Sequence, residues 1–158
     1  MATIKKKPNG YGQFGGFSPF GNSTTLLFSL TTNATGAVID SDSTAAVASG
    51  DVIDLGELPE GMRLDDAQIL IKTGMTATVT GSLGFKYSDG VDVTAVPQDA
   101  AYFISAGDMA TAGRLRANTG KLATLPKAAR LILTTGVAAN AKASDIKVIV
   151  SGELKGPR

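Results

Sequence analysis

The chain contains no histidine, no cysteine and no tryptophan. Without cysteine there is no disulfide framework, no thiolate nucleophile, no iron–sulfur ligation and no zinc site with thiol ligands. Without histidine the commonest general base and the commonest transition-metal ligand are missing, and a Ser-His-Asp triad cannot be assembled. Carboxylates or lysines alone can still run some reactions, but the residue types point away from an enzyme and no cofactor site is read. Long apolar runs are also lacking. No stretch approaches the ~20 apolar residues of a membrane helix, and the opening MATIKKKPNG has no apolar core of an export signal. Neither a membrane partner nor export through such a signal is expected.

Acidic residues are absent from the first quarter of the chain. The first is Asp40, so residues 1–39 carry three lysines and nothing negative. The remaining 12 basic and 14 acidic residues leave a body of charge −2. A basic leading segment on a slightly acidic body is a charge asymmetry that suits contact with an acidic partner surface.

What the sequence does have is a row of aromatics near its start. Tyr11, Phe14, Phe17 and Phe20 fall on every third position, directly after Lys5, Lys6 and Lys7, in a glycine-rich stretch with prolines at 8 and 19. Four of the nine aromatic residues therefore occupy a segment too rich in glycine to build a helix or a sheet. Large apolar rings on such a segment call for a cover, and a neighbouring protein chain is the expected one. Extended at ~3.1 Å per residue, the segment could reach ~70 Å. Residues 1–22 are read as an arm and 23–158 as one domain, of a size that buries a real core.

In the body the signal is the period of two that marks half-buried strands. Residues 24–31 alternate with Leu26, Phe28 and Leu30 on one face. Residues 76–87 alternate with Ala77, Val79, Leu83, Phe85 and Tyr87 inward. Residues 145–154 do so with Ile146, Val148, Val150 and Leu154. Further strands are expected at 37–39, 51–55, 63–72, 102–105 and 130–135. Turn residues separate them at 33–36, 59–61, 88–90, 118–120 and Gly136. One helical turn is expected over 105–112, capped by Ser105 or Asp108. About eight strands without crossover helices predict an all-β antiparallel sandwich, jelly-roll-like in form.

Several patterns could carry chemistry. Asp40 with Asp42, Asp51 with Asp54, Asp65 with Asp66 and Asp89 with Asp92 sit mostly beside Gly or Ser, where carboxylates serve turns and solubility; none matches an EF-hand loop. The glycines of GYGQFGGF neither follow a strand nor open a helix, so they are not a phosphate-binding loop. Three lysines ahead of a net-acidic body are too few for a nucleic-acid footprint. A second basic stretch, with Arg114, Arg116, Lys121, Lys127 and Arg130, has no acid between Asp108 and Asp145. Arg114 and Arg116 are candidates for an electrostatic contact with an acidic neighbour.

Three segments of the body carry a family resemblance: DVIDLGELPEGMRL at 51–64, DAAYFISAGDMATAG at 99–113 and LPKAARLILTT at 125–135, the last followed by a final alternating strand. Their strand–turn–strand pattern resembles that of tailed-bacteriophage capsid decoration, or cement, proteins with a jelly-roll-like body. The resemblance implies a non-catalytic protein made in the bacterial host cytoplasm that binds the outer capsid surface of the virion. Its partners would be the major capsid protein and copies of itself, as dimers or trimers. On that reading Lys5, Lys6, Lys7, Tyr11, Phe14, Phe17 and Phe20 dock on neighbouring subunits. The alternative is a phage tail, fibre or receptor-binding sandwich that recognises host carbohydrate, against which the shortage of aromatics after the arm counts. A carboxylate-based hydrolase is the third class, with the missing histidine its main objection.

Overall fold

The computed structural model describes residues 23–154. They form nine strands and no helix: β1 (Ser23–Thr32), β2 (Val52–Leu58), β3 (Met62–Thr73), β4 (Thr80–Tyr87), β5 (Asp99–Asp108), β6 (Gly113–Arg116), β7 (Ala123–Thr124), β8 (Ala129–Gly136) and β9 (Ser144–Leu154). One sheet runs β1-β9-β3-β6, with β7 also on β3, and the other runs β2-β8-β4-β5. Every pairing is antiparallel. First strand beside last, second beside eighth, third beside the sixth and seventh, fourth beside fifth: this nesting is the strand order of a jelly roll. The expected all-β sandwich is therefore the fold.

Alternation builds the core. In β9, Ser144, Ile146, Val148, Val150 and Gly152 are buried while the residues between them are half-buried. In β3, Met62, Leu64, Ala67, Ile69 and Ile71 face the same interior, with a register shift at Asp66 restoring the inward parity. Leu83, Phe85 and Tyr87 of β4 and Leu131 and Leu133 of β8 close it from the other sheet. Phe85 sits edge-on to both Tyr87 and Tyr102, at centroid distances of 5.7 and 5.2 Å. A fully buried side chain of this kind contributes roughly 1.5–3 kcal/mol by burial.

Three expectations need correction. Residues 76–79 do not begin β4: Thr78 has φ of 70°, and the Val79 N–H donates to the Thr76 carbonyl at 3.2 Å. The segment is a turn that leaves Ala77 exposed and still buries Val79. The helical turn at 105–112 is absent. Met109 is wholly buried, and its backbone is stretched between its neighbours, donating to Val79 at 3.0 Å and accepting from Met75 at 2.9 Å. Asp108 caps a tight turn there, accepting from the Ala110 N–H at 2.8 Å. Residues 37–39 form isolated bridges to Thr32 and Ala46 in place of a strand.

Candidate partner-binding surfaces

The arm residues Lys5, Lys6, Lys7, Tyr11, Phe14, Phe17 and Phe20 lie outside the described residues. Arg114 and Arg116 lie on β6, the short edge of the first sheet. Arg116 reaches across to Asp66 at 2.9 Å, and Arg114 donates to the Gln68 side chain. Like Arg116, the remaining cations of the stretch are neutralised in space by acids from elsewhere in the chain, whereas the partner of Arg114 is a neutral amide. Lys121 pairs with Asp99, Lys127 with Asp89 at 2.7 Å, and Arg130 with Asp54 at 3.0 Å. An acid-free run in sequence thus becomes a set of ion pairs on the surface, each of modest worth.

The two ends of the sandwich differ. At one end the β1–β2, β3–β4 and β8–β9 loops meet around buried Asn140. Its side-chain carbonyl accepts from the Thr76 N–H at 3.0 Å and the Thr76 hydroxyl at 3.2 Å. Its amide donates to the Thr32 hydroxyl at 3.1 Å and the Lys142 carbonyl at 2.9 Å. The Thr32 hydroxyl spends its proton on the Lys142 carbonyl at 2.9 Å, so the 2.8 Å bond to Ser144 has Ser144 as donor. This knot fixes three loops at once. Beside it, between β1 and β2, lies a groove of about 670 Å³ that includes Asp40, Asp42, Asp51 and Asp54.

The opposite end is built from the β2–β3 turn, the β4–β5 loop and residues 117–128. Here Lys127 donates to both oxygens of Asp89 at 2.8 and 2.7 Å and to the Val91 carbonyl at 2.7 Å. Its ammonium stands 4.7 Å from the centre of the Tyr87 ring, a cation–π contact. Next to this clasp is a mainly apolar hollow of about 510 Å³, lined by Val96, Pro97, Tyr102, Leu122 and Ala123 among others. The Tyr102 hydroxyl is buried against it without a hydrogen-bond partner among the described residues. That burial raises its pKa. Leu122 and Val91 are exposed at the same end. Ser23 is there too, since it pairs with Glu153 at the far end of β9. Neither the Asn140 knot nor the Tyr102 hollow was visible in the sequence, because both join residues distant along the chain.

Among the described residues no group of three or more acidic side chains converges as a metal site would. Titration has a simple form. The hydrogen bond from Lys127, helped by the Val91 N–H, holds Asp89 below the usual carboxylate range, and the bond from Lys121 does the same for Asp99. A depressed folded pKa adds stability above the unfolded value of ~3.9, and that stability is lost as pH falls through the folded value. No side chain here has an ordinary pKa between about 5 and 8. The melting temperature should therefore be level over that range and fall only below about pH 4. Thermal melts in a pH series check this; a transition near pH 6 would contradict it.

No protein-family model matches the sequence, and no curated protein matches it. Two solved structures share its fold. One is a chain in the capsid of Ralstonia phage GP4, 17% identical with a TM-score of 0.60, covering 98% of this chain and 93% of that one. The other is a chain in the capsid asymmetric unit of cyanophage Pam1, 18% identical with a TM-score of 0.57, covering 97% of this chain and 94% of that one. The sandwich is thus of a fold found in chains of phage capsids.

Proposed function

We propose that the chain is a non-catalytic structural protein of a phage virion that binds the outer surface of the capsid and cements neighbouring major capsid subunits. The observation that carries this reading is the end-to-end likeness of the jelly-roll body to chains of two phage capsids. The missing histidine and cysteine favour the same reading. The end of the sandwich that bears Ser23, Leu122 and the Tyr102 hollow faces the shell, because the arm departs from it. Lys5–Lys7 dock on acidic surface while Tyr11, Phe14, Phe17 and Phe20 fill pockets between subunits. Arg114 and Arg116 orient the body at the rim. Many copies on one lattice make such contacts cooperative.

Quantitative protein analysis of purified particles tests the assignment. The chain should be present in fixed proportion to the major shell subunit and be accessible to surface labelling of intact particles. Its absence from the particle, or its protection inside the shell, would sink the reading.

A further inference from the structure

A sandwich of two open sheets has four edges, and an exposed edge strand invites pairing with another chain unless something blunts it. Three edges here are blunted. β6 is four residues long and carries Arg114 and Arg116, and β7 has two residues. The outer edge of β5 is covered by residues 117–119, where the Asn118 N–H donates to the Phe103 carbonyl at 2.9 Å. β2 has a bulge between Asp54 and Gly56 and carries Asp54 and Glu57.

β1 has none of these devices. Its ten residues, STTLLFSLTT, include no charge, no proline and no glycine, and they pair with β9 in unbroken register. The direction of its free groups follows from one bond. The Thr31 carbonyl accepts from the Ile39 N–H at 2.9 Å, on the side away from β9. Backbone groups alternate in direction along a strand. Ser23, Thr25, Leu27 and Ser29 therefore also turn their N–H and C=O outward. Among the described residues none of these groups has a partner. The same four side chains are exposed on the outer face, with Leu27 at 65%. The loop at Val38 and Ile39 covers only the upper end of this edge.

We infer that the β1 edge is a self-association site, where two copies of this chain pair β1 with β1 antiparallel about a two-fold axis at Leu27. A second copy fits because the strand is close to self-complementary about that residue. Leu27 meets Leu27 of the other copy, Thr25 meets Ser29, and on the inner side Leu26 meets Phe28. No like charges face each other, and such a contact is isologous and closes on itself. Leu27 is paired with Ile149 of β9, so the dimer carries an apolar row across the join. The pairing extends over Thr25–Ser29 and stops where Ile39 occupies the edge. Two five-stranded sheets become one continuous sheet. The inference stands independently of capsid binding.

The chain has no native cysteine, so a single introduced thiol reports the geometry cleanly. In a hydrogen-bonded antiparallel pair the two Cα atoms lie about 5.5 Å apart, within disulfide reach. Full-length Leu27→Cys should form a covalent dimer under mild oxidation. Ile149→Cys, one strand further back on each side and therefore about 14 Å from its symmetry mate, should not. The unmodified chain should sediment as a dimer. Leu27→Lys, which sets two ammonium groups opposite each other, should weaken that dimer at least about tenfold while the circular dichroism of the folded chain is unchanged. A chain that stays monomeric at high concentration overturns the inference. So does a Leu27→Lys variant that associates as well as the parent, or an oligomer that Leu27→Cys fails to cross-link.

Discussion

Gly84→Ala is expected to yield little or no correctly folded protein. A Cβ at this position would stand 2.0 Å from the Asp99 carbonyl oxygen and 2.5 Å from the Ala100 carbonyl carbon, both of them backbone. Gly84 lies where the β4–β5 register breaks between Leu83 and Phe85, and the main chain of β5 closes directly over it. The backbone angle is one any residue can adopt, so the whole penalty is steric. No rotamer change relieves it; β4 and β5 must part. Overpacking typically costs 1–3 kcal/mol where side chains can yield, and a backbone clash belongs above that range. Soluble yield and circular dichroism read the outcome. Gly90→Ala is the comparison: that glycine, unlike Gly84, is left-handed at φ 71°, but open space surrounds it, so only conformational strain is at stake. A Gly84→Ala protein that melts like the parent would show that β5 does not lie where it is described.

Phe85→Ala is the second large effect. The ring is buried to within 1% and lies edge-on to Tyr87 and Tyr102, so truncation removes its own burial and two aromatic contacts while leaving a cavity between the sheets. The expected loss is about 3–5 kcal/mol, or a melting temperature lower by roughly 6–20 °C for a domain of this size. Phe85→Leu should recover a good part of it. A loss below about 1 kcal/mol in denaturant unfolding would mean that the core collapses into the space, contrary to a close-packed sandwich.

Where alternation was strong, the sequence carried the fold. Leu83, Phe85 and Tyr87 in β4, and Ile146, Val148 and Val150 in β9, are buried as their parity requires. Two of its failures share one cause. Residues 76–79 and 105–112 look like a strand and a helical turn on local grounds, yet buried Val79 and Met109 draw both into a loop-to-loop contact that only the assembled sandwich provides. β6 and β7 were missed because four and two residues are too few to show a period. The ion pairs of the basic stretch at 114–130 were not legible for a related reason. Its neutralising partners Asp66, Asp89, Asp99 and Asp54 come from other strands and loops, so local charge did not report surface charge.

The candidate surfaces were partly legible. The expected arm, residues 1–22, is read from composition alone and lies outside the described residues. The apolar hollow at Tyr102 needed the β4–β5 loop and residues 117–128 to be brought side by side. The β1 edge was legible as a strand from its alternation, but that its outward groups lack a partner among the described residues became apparent only once the other three edges were seen to be protected.

The central claim is that this chain cements a capsid from outside, and adding it back to purified shells that lack it tests that claim most directly. The full chain should bind to saturation and raise the temperature at which the shells rupture. The chain without residues 1–22 should remain folded yet bind at least about 100-fold more weakly, since two buried aromatic rings alone contribute roughly 2–3 kcal/mol each before ordering costs. A full chain that leaves the shells bare and their rupture temperature unmoved would contradict the cementing role. A truncated chain that saturates them as tightly as the whole would contradict the role of the arm.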